Sequence, residues 1–107
     1  MNIQLKKGIL EMLVLAMLDQ KDCYGYELVS GISEKVELAE RSIYPLLKRL
    51  RDEEWVTTYL KESNLGAPRK YYRLTEAGKQ ALATMKEEWA SLIVAVNSLL
   101  EEANQDE

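Results

Sequence analysis

Apolar residues dominate the start of the chain. From Ile9 to Leu18 only Glu11 interrupts them, and residues 3–19 read as a helix. A helix apolar nearly all round is buried on more than one side. Either it is the central helix of a three-helix core, or one of its sides also meets a second subunit. Further on the pattern turns amphipathic. Asp22 suits the cap of a second helix over 23–34, with Tyr24, Leu28 and Ile32 at i, i+4 and i+8 and Val29 beside them. Residues 35–39 form a short connection. A third helix over 40–53 puts Ile43, Leu46, Leu47 and Leu50 on one face. The opposite face carries Arg41, Pro45 and Lys48, bordered by Ser42 and Tyr44. Pro45 lacks an N–H and is comfortable only in a first turn. The helix therefore starts near Ser42 as its N-cap, or near Glu40 with a kink; the earlier start is favoured.

The period then changes. Residues 55–61 and 69–74 are rich in β-branched and aromatic types, and the turn-rich stretch 63–68 separates them. This predicts a β-hairpin with a six-residue loop. Thr75 caps a long helix over 76–103, where Gly78 costs helix propensity that close packing against the hairpin would explain. Along this helix Leu82, Met85, Trp89, Leu92, Val96, Leu99 and Ala103 alternate spacings of 3 and 4, a heptad seam. Such a helix is about 42 Å long at ~1.5 Å per residue. The rest of the chain is too small to cover it, so the seam calls for a partner, most economically a second copy. The polar tail, residues 104–107, is expected to fray.

Composition narrows the possible chemistry. A chain of 107 residues, 47% apolar, suits one compact unit. Within it, residues 1–75 form the core and hairpin, and 76–107 a dimerisation helix with its tail. No apolar run reaches the ~20 residues of a membrane span. No secretory leader is visible either, so a cytoplasmic location without membrane contact is expected. Cys23 is the only cysteine and histidine is absent, which removes zinc sites and a Cys–His nucleophile. No glycine-rich phosphate loop or catalytic carboxylate pair is visible, so neither an enzyme nor a cofactor is expected. The net charge of −4 argues against a nucleic-acid partner until its distribution is seen. Residues 41–73 hold 8 basic and 4 acidic side chains, while 1–40 hold 4 and 7 and 74–107 hold 2 and 7. Local potential governs phosphate binding, because charges are screened within ~10 Å at ordinary salt.

Helix, helix, helix, hairpin and long helix is the order of a winged helix-turn-helix. The expected fold class is thus mainly α with a small β-hairpin (α+β). In that design the third helix enters the major groove and the hairpin follows the DNA backbone. Arg41 and Lys48 on the helix, and Lys61, Arg69, Lys70 and Arg73 on the hairpin, become candidate contacts. For Arg41, Lys48 and Arg51 of the helix taken alone, an ordinary solvated face is the favoured reading. For Tyr71 and Tyr72, strand packing is expected, with one ring in the core.

Three strings sharpen the picture: Tyr24-Gly25-Tyr26-Glu27-Leu28, Ile43-Tyr44-Pro45-Leu46-Leu47-Lys48-Arg49-Leu50, and Arg69-Lys70-Tyr71-Tyr72-Arg73-Leu74-Thr75-Glu76-Ala77-Gly78. In this order they resemble the PadR family of bacterial transcriptional regulators, in its short form with one long final helix. The resemblance implies a homodimer built by the first and last helices, bound to an inverted-repeat operator in double-stranded DNA. It implies repression, relieved in many members by a phenolic acid or a hydrophobic, multidrug-like compound. It assigns Ser42, Tyr44 and Lys48 to the recognition helix and Arg69 and Lys70 to the wing. Trp89 falls at a ligand pocket in the dimer interface, with Leu5, Gly8, Met12, Met85, Leu92 and Ile93 as neighbours. Trp89 is equally well read as a large seam residue, since Glu11 is the main polar group near so aliphatic a pocket. The interface itself draws on Leu82, Met85, Trp89, Leu92, Val96 and Leu99. Two departures stand out. Glu54 occupies the place of a glycine after the recognition helix, which makes a left-handed helix stop less comfortable. Ala39 stands where a small or hydroxyl cap is common. A winged-helix protein-interaction module, without ligand sensing, is the competing function.

Overall fold

A computed structural model describes residues 3–37 and 40–105, with the side chains of 3–7, 104 and 105 outside the description. The helices are α1 (Ile3–Gln20), α2 (Gly25–Ser33), α3 (Ile43–Asp52) and α4 (Glu76–Gln105), and the strands are β1 (Cys23–Tyr24), β2 (Val56–Ser63) and β3 (Gly66–Leu74). The fold is mostly helical with a small antiparallel sheet of order β1-β3-β2. Its core gathers one face of every element. Val14, Leu15 and Leu18 of α1 meet Leu28 and Ile32 of α2, and Ile43, Leu46, Leu47 and Leu50 of α3. Val56, Leu74 and Leu82 close it. Each such side chain contributes about 1.5–3 kcal/mol on burial.

The segment after α1 departs from expectation. Asp22 does not cap a helix, because Cys23 and Tyr24 are extended and pair with Tyr72 and Tyr71 of β3. The Asp22 carboxylate instead accepts the Tyr59 hydroxyl at 2.7 Å and Arg73 Nε at 3.1 Å. Helix α2 starts at Gly25, where Glu27 Oε1 accepts the Tyr24 N–H at 3.2 Å.

The start of the third helix combines both readings. Glu40–Ser42 is a turn of 3-10 helix, and the α-helix proper begins at Ile43 with Ser42 at the N-cap position. Pro45 therefore sits in the first α-turn, where its missing N–H costs nothing. Ala39 lies outside the described residues.

The end of α3 explains Glu54. Trp55 N–H donates to the Leu50 carbonyl at 3.0 Å and Glu54 N–H to the Arg51 carbonyl at 2.9 Å. These bonds define a Schellman stop, which requires a left-handed residue between them, and Glu54 takes it with φ 62°.

The hairpin is longer and tighter than its sequence suggests. Ser63 pairs with Gly66, leaving Asn64-Leu65 as the turn instead of a six-residue loop. Gly66 has φ 130°, a conformation a side chain would oppose. The register shifts between Lys61 and Ser63, near Pro68, which has no N–H to donate to the ladder.

Thr75 joins the hairpin to α4. Its N–H donates to the Trp55 carbonyl at 3.0 Å, its hydroxyl donates to the Glu54 carbonyl at 2.7 Å, and it accepts the Gly78 N–H at 3.0 Å. A Cβ on Gly78 would collide with the Trp55 carbonyl oxygen, so the glycine permits this docking. Beyond Met85, α4 leaves the core and becomes an exposed rod, and the structure extends 61 Å along its longest axis. Among the described residues no helix is long and apolar enough to cross a membrane.

Candidate nucleic-acid interface

Side chains alternate across a strand, so β3 splits the hairpin's cations between two faces. Tyr72 and Leu74 point toward the core, and Lys70 lies on their side. Arg69, Tyr71 and Arg73 occupy the other. There Tyr24, Tyr71 and Tyr59 stand opposite one another on three strands, with ring centroids 5.4 and 5.7 Å apart. Tyr26 extends the stack at 6.4 Å. Cations lie on these rings: Arg69 at 4.5 Å from Tyr24, Lys61 at 5.2 Å from Tyr71 and Arg73 at 4.8 Å from Tyr59. Lys61 and Arg69 are direct cross-strand partners, and the rings between and beside them accommodate both charges. Around this face, Lys21 forms an ion pair with Glu27 at 3.0 Å.

The inner face is different. Tyr44, Lys48 and Arg51 recur along one side of α3 and face Lys70 and Tyr72 of β3 across a cleft of about 250 Å³, floored by Leu47. The Tyr44 ring leans on the N-terminus of α2, where a Cβ on Gly25 would be 3.0 Å from Cε1. Burial raises the Tyr72 pKa, and the nearby Arg51 charge opposes that shift. Arg41 and Ser42 lie exposed in the 3-10 turn leading into α3.

Thus Tyr44, Lys48 and Lys70 come together as candidates, whereas Lys61 and Arg69 sit on the opposite face of the hairpin. Arg51, favoured from sequence as a solvated helix cation, and Tyr72, expected to pack in the strand, also line the cleft. The helical spacing 44, 48, 51 was the available signal for Arg51. Arg49 points elsewhere: its Nη2 donates to Glu11 Oε2 of α1 at 2.9 Å.

A second concavity lies where α1 crosses α4. Gly8, Ile9 and Met12 of α1 and Met85, Glu88, Trp89 and Leu92 of α4 line a groove of about 310 Å³. Ile93 is not among these lining residues, and the side chain of Leu5 lies outside the description. Glu11 is held by Arg49, so Glu88 supplies the carboxylate here. Glu88 was legible as the residue one turn from both Met85 and Leu92. Of the seam, Leu82 closes this chain's own core and is not left for a partner. Trp89, Leu92, Val96 and Leu99 remain exposed, Leu99 by 66%.

A three-helix core with a hairpin beside its third helix, and basic side chains facing each other between the two, defines a winged helix-turn-helix protein. Residues 14–84 match the transcriptional regulator PadR-like family. The chain belongs to that family of DNA-binding transcriptional regulators. Its fold is similar to a PadR-like transcriptional regulator from Bacillus cereus, at 39% identity and TM-score 0.82, covering 91% of this chain and 96% of that one. It is also similar to a PadR family transcription regulator from Clostridium difficile, at 36% identity and TM-score 0.79, covering 85% and 97%. An uncharacterized protein from Lysinibacillus sphaericus is 31% identical, over 89% of this chain and 91% of its own length.

Proposed function

We propose that this regulator is a homodimeric repressor of a neighbouring gene or its own operon. In this reading residues 1–75 bind an inverted-repeat operator and residues 76–107 dimerise. The facing of Lys48 on α3 and Lys70 on β3 carries the DNA side of the proposal. Arg41 and Ser42 lead α3 into the major groove, Tyr44 and Lys48 stand on its side toward the wing where the DNA strand passes, and Lys70 meets the backbone as part of the wing. Lys61 and Arg69, seated on tyrosine rings, add mainly to the positive field. The dimer rests on the exposed row Trp89, Leu92, Val96 and Leu99, together with α1. The groove beside Trp89 receives an aromatic, hydrophobic ligand, and Glu88 favours one that carries a positive charge. Binding there, next to the proposed seam, relieves repression.

Gel shifts on the protein's own promoter region test this. A complex that weakens steeply with salt supports it, because bound cations release counterions from the duplex. Absence of a complex at low salt refutes it. The exposed row on α4 also suits a second reading, an interaction module that pairs with a different helical protein. A monomeric mass in solution favours that reading, and a dimeric mass the repressor.

A further inference from the structure

The basic residues of the middle segment divide sharply once their partners are traced. Arg49 is held by Glu11, and Arg73 by Asp22. Lys61, Arg69 and Arg73 cover tyrosine rings. Among the described residues Arg41, Lys48, Arg51 and Lys70 have neither a carboxylate nor a ring as partner. Three of these four line one cleft, and no carboxylate lines it with them. Like charges gathered around a concavity repel one another, and an anion seated between them removes that cost. Arg51 in the last turn of α3 also suits the helix dipole. The dipole does not account for Lys70, which comes from a strand far along the chain.

We propose that the cleft between α3 and β3 seats a single backbone phosphate of the bound duplex, gripped by Lys48, Arg51 and Lys70. The inference rests on the DNA-binding reading above and specifies how that site holds its ligand. With α3 in a major groove and the hairpin reaching toward the neighbouring minor groove, one DNA strand must pass between them. The cleft is where that strand passes. Arg51 presents a planar fork suited to two phosphate oxygens, and the lysines add compact charge. Tyr44 and Tyr72 line the same cleft, and a tyrosine hydroxyl is a group that can donate to a phosphate oxygen. Because the cations come from both helix and hairpin, the phosphate fixes the recognition helix and the wing to one point on the strand. It sets register without reading a base.

The test is a double-mutant cycle between protein and DNA. Promoter duplexes carrying one neutral methylphosphonate at successive positions are titrated with wild type, R51Q, K70Q, and the comparators K61Q and R69Q. All four variants lose one positive charge. R51Q and K70Q are expected to weaken binding about 5- to 20-fold and each to reduce the salt slope by about one. The comparators are expected to lose no more than about 3-fold, reflecting field alone. At one position per half-site, the methylphosphonate should cost wild type ~10-fold and the R51Q protein less than ~2-fold. Circular dichroism checks that each variant is folded, and K70R should restore binding lost in K70Q. Independent, multiplying effects of DNA and protein changes at every position overturn the phosphate seat while leaving DNA binding intact. So does a loss in the comparators equal to that in R51Q and K70Q. Displacement of the duplex by inorganic phosphate below about 1 mM would assign the cleft to a free anion and likewise overturn the proposal. If wild type binds no duplex at all, the DNA-binding reading falls and the seat falls with it.

Discussion

Arg49 on the proposed recognition helix and Glu11 on the first helix form an ion pair of 2.9 Å. Thirty-eight residues separate them in sequence, and the pair ties α3 to the helix that lines the Trp89 groove. Arg49 is 42% exposed and Glu11 20%, so water screens the attraction. A double-mutant cycle with E11Q and R49Q in urea should give a coupling of about 0.5–1 kcal/mol. A coupling near zero would show that the two helices are held by packing alone.

Glu54→Gly is expected to stabilise the protein. A side chain in the left-handed region costs about 1–2 kcal/mol, and glycine's greater unfolded freedom returns part of that gain. The net should be ~0.5–1 kcal/mol, read as a higher denaturation midpoint with an unchanged slope. An unchanged or lower midpoint contradicts the strained stop.

Gly78→Ala should do the opposite. The new Cβ meets a backbone carbonyl, which cannot swing away like the end of a side chain. Either α4 shifts off the hairpin or the Thr75 cap breaks, at a cost of about 2–3 kcal/mol. Thermal unfolding checks this, and a loss below ~0.5 kcal/mol would mean that α4 docks more loosely.

Leu99→Glu tests the proposed dimer seam. The position is exposed on a single chain, so the substitution should leave the fold intact. Sedimentation should show a dimeric wild type and a largely monomeric variant. Trp89 reports on the groove through its fluorescence, with Trp55→Phe as the background. Cationic aromatic compounds are expected to quench it and to loosen DNA binding.

Glu27 gives the acid limb of stability a specific origin. Its burial opposes ionisation, but the hydrogen bonds from Lys21 and the Tyr24 N–H, with the Lys21 and Arg69 charges, outweigh this and lower its pKa below the ordinary 4.5. A lowered folded pKa means that the unfolded chain takes up the proton first. The contribution is therefore complete above the ordinary value and is lost as pH falls through the folded one. Glu27→Gln should be less stable at neutral pH and lose less on acidification. Parallel stability–pH curves would show that Glu27 titrates alike in both states.

The repeating patterns in the sequence located the core. Ile43, Leu46, Leu47 and Leu50 are buried where a 3.6-residue period puts them, and Thr75 caps α4. Strand β1 stayed hidden because two residues carry no period, and their partners Tyr71 and Tyr72 lie far along the chain. Asp22 looked like a cap for the same reason, since Tyr59 and Arg73 reach it only through the fold. The candidate site was legible as a basic segment but not as two faces. The assignment depends on strand parity, which the turn at Asn64-Leu65 determines and a six-residue loop would have left open. Arg51 reads as any solvated cation until Lys70 is seen opposite it.

The uneven placement of charge gives the molecule an electric dipole. The basic α3 and hairpin lie toward the start of α4, while the acidic rod leads away from them over a body 61 Å long. In the field of a duplex such a body turns before it touches, with α3 foremost and the C-terminal end of α4 trailing. A strongly acidic total then becomes useful, because a wrongly oriented approach is repelled instead of trapped. Added salt should accordingly slow association more than it speeds dissociation, and the change should appear in the encounter rate.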